Sequence, residues 1–128
     1  NGPLYSSFSN GYLGKRKNGM EIIWSRSAKE TLATVLDYIE EYFDSTVAMK
    51  VYNKINNHVD LLVSFPRMGV RDPRFSIDEM EVRYLVNTPN IIYYAIIQDV
   101  IVIISVFDAR CSPDTISTMV VDFMKQYR

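Results

Sequence analysis

Ile91-Ile92-Tyr93-Tyr94-Ala95-Ile96-Ile97 and Val100-Ile101-Val102-Ile103-Ile104-Ser105-Val106-Phe107 decide the fold. β-branched and aromatic residues dominate both runs, and each has the length of one strand. Only Gln98-Asp99 separates them, a break that fits a two-residue hairpin although Gln-Asp is not the favoured Asn-Gly type. Ahead of them lies Glu81-Val82-Arg83-Tyr84-Leu85-Val86. We expect antiparallel strands over residues 80–86, 91–97 and 100–107, joined as a meander. A sheet with one wet face alternates apolar and polar residues, whereas both long runs are apolar at nearly every position. Both faces must therefore be covered, by this chain or by a partner.

Working outward, Glu21-Ile22-Ile23-Trp24 reads as a short first strand. Ser27-Ala28-Lys29-Glu30 has the spacing of a capping box, with Ser27 accepting from the Glu30 amide and the Glu30 carboxylate reaching back. Ala28, Leu32, Val35, Leu36, Ile39 and Phe43 follow at helical spacing, with Asp37, Glu40, Glu41 and Asp44 on the solvated side. Asp44-Ser45-Thr46 offers a stop and a fresh N-cap. Ala48, Val51, Tyr52, Ile55, Val59 and Leu62 then stripe a second helix, which Pro66 ends. The two helices form a hairpin suited to covering one sheet face. Phe65-Pro66-Arg67-Met68-Gly69 is a turn, and residues 70–79 form a loop with scattered charge. After the meander, Ser112-Pro113-Asp114 puts serine at an N-cap and proline at the first helical position. The stripe Ile116, Met119, Val120, Phe123, Met124 and Tyr127 either covers the second face or docks on a partner. The expected class is α+β: an N-terminal strand, a helical hairpin, a three-stranded antiparallel meander and a C-terminal helix.

A chain of 128 residues, 48% hydrophobic and 23% charged, suits one ordinary globular domain. We place that domain at residues 20–128. Residues 1–19, rich in Asn, Gly and Ser, read as an extension or linker, with Met20 as a natural start. Lys15, Arg16 and Lys17 are the only charged residues of that segment, so the remainder carries 11 basic and 15 acidic residues. Such a balance gives no whole-domain attraction to nucleic acid. The single cysteine, Cys111, excludes an internal disulfide and fits a reducing cytoplasm. No apolar segment reaches the roughly 18 residues of a membrane span, and no apolar h-region marks a signal peptide.

Motifs for metal, phosphate-loop or Ser/His/Asp chemistry are missing from the sequence, and no cofactor is expected. The only histidine, His58, sits on the second helix without an evident partner and reads as structural or solvated. The arginines are more suggestive. Arg83 interrupts the first meander strand, Arg110 follows the last, and Arg67, Arg71 and Arg74 lie on the turn and loop between. A guanidinium forks onto phosphate or carboxylate, and these side chains could converge at one end of the sheet. Equally, Arg83 and Arg110 could pair with Glu81 and Asp108 and serve only the fold.

The order of elements resembles the RelE/ParE toxin superfamily of type II toxin–antitoxin modules. The residues carrying the resemblance are Ile23-Trp24-Ser25 leading to Ala28, then Phe65-Pro66-Arg67-Met68-Gly69, Val82-Arg83-Tyr84-Leu85-Val86, Ile92-Tyr93-Tyr94 and Ile103-Ile104-Ser105-Val106. The Pro-x-x-Gly turn and the Arg-Tyr-Leu-Val strand look more like the ParE, plasmid-stabilisation branch.

That branch implies inhibition by binding a target such as DNA gyrase, with Arg83, Arg110 and Arg74 as target-binding residues. The RelE branch implies a metal-independent, ribosome-dependent mRNA endoribonuclease, with Arg83 and Arg110 catalytic. RelE-like nucleases tend to carry a basic residue where this chain has Asn90-Ile91, and a Tyr or His where it has Cys111-Ser112-Pro113-Asp114. The acid–base pair therefore does not carry over, and a non-enzymatic toxin is the expected reading. A third alternative is a non-toxic member that only binds an antitoxin. The resemblance further implies a cytoplasmic bacterial protein with a cognate antitoxin as partner, as a homodimer or a toxin–antitoxin hetero-oligomer, and no membrane.

Overall fold

In the computed structural model, which describes residues 16–17 and 20–127, a six-stranded mixed sheet carries helices on both faces. The strands are β1 (Arg16–Lys17), β2 (Met20–Trp24), β3 (Val70–Arg71), β4 (Glu81–Asn87), β5 (Asn90–Ile97) and β6 (Val100–Asp108). The helices are α1 (Arg26–Tyr42), α2 (Ser45–Asp60) and α3 (Pro113–Gln126), and a 3-10 turn at Leu61–Val63 extends α2. Sheet order is β1-β2-β6-β5-β4-β3, with β2 parallel to β6 and every other neighbouring pair antiparallel. The meander expected from the apolar runs is β4-β5-β6. Gln98 adopts φ 54° to close the β5–β6 hairpin in two residues.

Both faces are covered by this chain itself. Ile22, Trp24, Leu85, Ile92, Tyr94, Ile101 and Ile103 pack against Ala28, Leu32 and Leu36 of α1 and Tyr52, Ile55 and Val59 of α2. On the opposite face, Val82, Tyr93, Ala95, Val102 and Ile104 pack against Phe75 and against Val120 and Phe123 of α3. A bulge in the β5–β6 ladder sets Tyr93 opposite Ser105 and Tyr94 opposite Ile103. The extra residue inverts the alternation of β6. Val106 consequently joins the first core and Phe107 the second.

Three local details differ from the sequence reading. The N-cap of α1 is Ser25, whose hydroxyl accepts from Ala28 N at 3.0 Å. Its backbone N also donates to Ile103 O, so the strand end and helix start are fixed by one residue. Ser27 is thus freed to bond Ser105 Oγ at 2.7 Å across the core. In addition, part of the expected 70–79 loop is β3, and Arg16–Lys17 of the expected extension pair with β2. The rest of the 1–19 expectation lies outside the described residues. Asp44 and Ser112 cap α2 and α3 as expected.

The 65–69 turn is anchored to the sheet through Tyr94. The Tyr94 hydroxyl donates to Pro66 O at 2.7 Å and accepts from Gly69 N at 3.0 Å. A Cβ on Gly69 would lie 2.6 Å from the Tyr94 hydroxyl and 2.8 Å from the Tyr84 carbonyl. Because the second obstacle is backbone, rotamer changes cannot relieve it. Gly69→Ala should destabilise the fold by about 2 kcal/mol or more, read as a lowered urea midpoint. A midpoint equal to that of the parent would refute the clash.

Candidate functional site

The arginines singled out by sequence do not form one site. Arg83, Arg74 and Arg110 are each paired with a carboxylate two residues away. On a strand, residues i and i+2 share a face. Arg83 and Glu81 exploit this in β4, where Arg83 Nε donates to the Glu81 carboxylate. Arg67 Nε reaches the same carboxylate at 3.1 Å. The remaining capacity of Arg83 goes to the turn, with Nη1 donating to Gly69 O at 2.6 Å and Arg67 O at 3.1 Å. Burial alone would push the Glu81 carboxyl up, but the bonds from Arg83 and Arg67 outweigh it and hold the group below its ordinary range.

Arg74 forks onto Asp72, with Nε to Oδ1 at 3.1 Å and Nη2 to Oδ2 at 2.9 Å. Asp72 is buried and also accepts from the Tyr93 hydroxyl at 2.8 Å. The Arg74 bond is the main reason its carboxyl sits below the ordinary value. Burial, followed by the Asp72 bond, pushes Tyr93 up to about 12. Arg110 forks onto Asp108 at 3.0 Å through both Nε and Nη2, which holds the Asp108 carboxyl at about 2.

The ladder separates these groups. Asp108 pairs with Asn90 and Asn90 with Asn87, so Arg110 lies at the far end of β4 from Arg83. The four residue steps from Arg83 to Asn87 span roughly 13 Å. Arg83 shares its face with Leu85 and Tyr94, under the helical hairpin, whereas Asp72 and Tyr93 face α3.

Among the concave surfaces that border these arginines are two of unequal size. The larger, about 610 Å³, runs between α1, α2 and the β5–β6 end, lined by Thr34, Val35, Tyr38, Ile39, Phe43, Val47, Val51, Pro89, Asn90, Asp108 and Arg110. Its lining is mostly apolar, and Tyr38 and Phe43 are 53% and 68% exposed. Tyr42, tilted against Tyr38 with ring centroids 4.6 Å apart, extends the aromatic rim. The sequence reading missed this groove, because Tyr38 and Tyr42 stand outside the α1 stripe. An i, i+4 aromatic pair on the polar side of an amphipathic helix was the available signal. The smaller cleft, about 370 Å³, is lined by Arg71, Asp72, Pro73, Arg74, Tyr84, Ile91, Tyr93 and Ile116. Ile91 and Ile116 present no titratable group to it. His58, expected to be structural or solvated, accepts at Nδ1 from Asn87 Nδ2 at 2.8 Å. Burial and then neighbouring Lys54 lower its pKa. Among the described residues, no group of three His, Cys, Asp or Glu side chains could hold a metal ion, and no helix is long and apolar enough to cross a membrane.

Comparison with known proteins places this architecture in a family. Residues 22–112 match the family described as the ParE toxin of the type II toxin–antitoxin system parDE. The chain belongs to that family and is a type II toxin–antitoxin toxin by membership. It is also similar to a solved chain titled "Chromosomal ParDE TA system from P. aeruginosa", at 20% identity and a TM-score of 0.60. That likeness covers 72% of this chain and 98% of the other, and concerns the fold. A comparison with curated proteins finds no match.

The ion pairs separate structural from available arginines. Arg83→Gln leaves the half-buried Glu81 carboxylate to Arg67 alone and removes the donor of two turn carbonyls, and should cost about 2 kcal/mol. Arg110→Gln, at an exposed pair, should leave the urea midpoint in place. Equal midpoints for the two variants would contradict this division. Asp72 has a depressed folded pKa, so its contribution is present above the ordinary carboxylate range and disappears as pH falls through the folded value. Asp72→Asn should therefore flatten the acid limb of the urea midpoint between pH 5 and 2.5, relative to the parent.

Proposed function

We propose that this chain is a toxin that acts by binding and inhibiting a cellular protein target such as DNA gyrase, and that a cognate antitoxin neutralises it in the bacterial cytoplasm. The observation that carries the reading is the apolar groove ending at Arg110. Exposed aromatic residues beside a guanidinium are the composition of a protein-binding surface, where Tyr, Phe and Arg supply most of the binding energy. A side chain of this kind exchanges its solvated ion pair for a buried one when a partner excludes water.

Arg110 is the polar anchor in this reading, and Arg74 at the edge of the smaller cleft is a second contact. Arg83 supports the surface by fixing the 65–69 turn, because its donors are committed to Glu81, Arg67 and Gly69. The family membership of residues 22–112 favours a partner antitoxin and is compatible with a role in plasmid stabilisation. The acidic balance outside the first nineteen residues disfavours a polyanionic substrate such as ribosome-bound message.

The test is pulse labelling of DNA and protein synthesis within minutes of inducing the chain in bacteria without its antitoxin. Early loss of DNA synthesis with translation intact is expected, and Arg110→Ala should delay that loss. Early loss of protein synthesis would instead identify a messenger-cleaving toxin. If neither synthesis changes, the chain binds an antitoxin without poisoning the cell.

A further inference from the structure

The smaller cleft has a fixed shape. Tyr84 and Tyr93 stand opposite each other on β4 and β5, with ring centroids 5.3 Å apart and planes at 35°. Tyr93 is held on several sides. Its hydroxyl donates to Asp72 Oδ2 at 2.8 Å, and Phe75 and Phe107 brace its ring edge-on at 6.3 and 5.8 Å. Ile91 lies two residues before Tyr93 on the same face of β5, and with Ile116 of α3 it adds apolar walls. Rings and walls are in position before any ligand arrives, which lowers the ordering cost of binding. A volume of about 370 Å³ suits a ligand of one or two rings.

The polar groups of the cleft favour an acceptor. Asp72 is the one acid in its lining, and that carboxylate is saturated. Oδ1 accepts from Arg74 N and Arg74 Nε, both at 3.1 Å, and Oδ2 accepts from Arg74 Nη2 at 2.9 Å and from the Tyr93 hydroxyl. Four donors fill the four lone-pair positions of a carboxylate. Donors are what remain. Arg71 lines the cleft, and among the described residues its guanidinium has no hydrogen bond or ion pair. Arg26, Arg67, Arg74, Arg83 and Arg110 by contrast each have a carboxylate partner. Arg74 spends Nε and Nη2 on Asp72 and keeps Nη1, while its guanidinium carbon rests 4.9 Å from the Phe75 ring centroid. The Tyr84 hydroxyl likewise has no protein partner among the described residues. Two arginines and one acid leave the lining with one net positive charge.

We propose that this cleft is a binding site for a small aromatic carboxylate. The ring of the ligand lies against the Tyr84–Tyr93 pair, between Ile91 and Ile116, and its carboxylate takes hydrogen bonds from Arg71 and from Arg74 Nη1. Other ligand classes fit less well. A di- or triphosphate brings several negative charges to a lining with one net positive charge. A sugar would set hydroxyls against Ile91, Ile116 and Pro73 without partners. An aliphatic acid would leave the tyrosine faces unused. The cleft shares no lining residue with the larger groove between α1 and α2. The site therefore stands on its own geometry, whatever the toxin inhibits through that groove.

The test titrates the 15N-labelled full chain with phenylacetate, with the uncharged phenylacetamide and with the non-aromatic cyclohexylacetate. Phenylacetate should give saturable shifts at the Tyr84, Ile91 and Ile116 amides. Phenylacetamide should bind at least about fivefold more weakly, because it forfeits the charge-assisted bonds. Cyclohexylacetate should also bind at least about fivefold more weakly, because it lacks a ring face for the tyrosines. Arg71→Gln should weaken phenylacetate binding by about fivefold while leaving the urea midpoint in place, since that guanidinium has no partner to lose. Equal binding of phenylacetate and either analogue would overturn the proposal. So would shifts confined to the Tyr38–Val51 groove, no saturable shift at all, or parental affinity in Arg71→Gln.

Discussion

Everything in this structure depends on β5 and β6 being apolar on both faces. Neither strand can leave a side in water, so the chain must supply two covers. Ala28, Leu32 and Leu36 with Tyr52, Ile55 and Val59 form one, and Phe75, Val120 and Phe123 form the other. Burying side chains of this size stabilises by about 1.5–3 kcal/mol each. The bulge at Tyr93 and Tyr94 keeps both covers supplied by inverting the alternation of β6 where the strand would otherwise turn its residues to the wrong face.

The same central strand also positions the periphery. Tyr94 buries its ring in the first core while its hydroxyl holds Pro66 and Gly69, and Arg83 adds two bonds to the same turn. Tyr93, its neighbour on the opposite face, holds Asp72 and through it Arg74. Two adjacent tyrosines thus fix two surface segments on opposite sides of the sheet. The surfaces available to partners inherit the rigidity of β5 through hydrogen bonds, and a rigid surface loses little entropy on binding.

Much of this was legible in the residues. The two apolar runs specify strands and demand two covers, and the helical stripes identify what provides them. The resemblance identified the superfamily, and the profile match over residues 22–112 agrees with it. Local chemistry was less legible. Ser25 and Ser27 are both good caps by composition. The choice between them is made by the Ile103 carbonyl, which is distant in sequence. The 70–71 strand was hidden because two exposed residues carry no period. The groove was hidden because Tyr38 lies on the side of α1 that a core-seeking stripe ignores, and because Phe43, counted with that stripe, is exposed and not buried.

The arginines show most clearly why residue type and order leave a site undecided. Arg83 and Arg110 have the same local pattern, an acid two residues before the guanidinium, and both form the resulting pair. Their side chains nevertheless differ in exposure, 16% against 85%. In the first case water is displaced and two backbone carbonyls take up the remaining donors, so the charge belongs to the fold. In the second the pair is screened, and an exposed pair of this kind contributes little stability. Its guanidinium can therefore be redirected to an incoming carboxylate at small cost to the fold. What separates a structural arginine from an available one is the turn that closes over Arg83, and that turn reaches it through Gly69 and Arg67, whose approach depends on Tyr94.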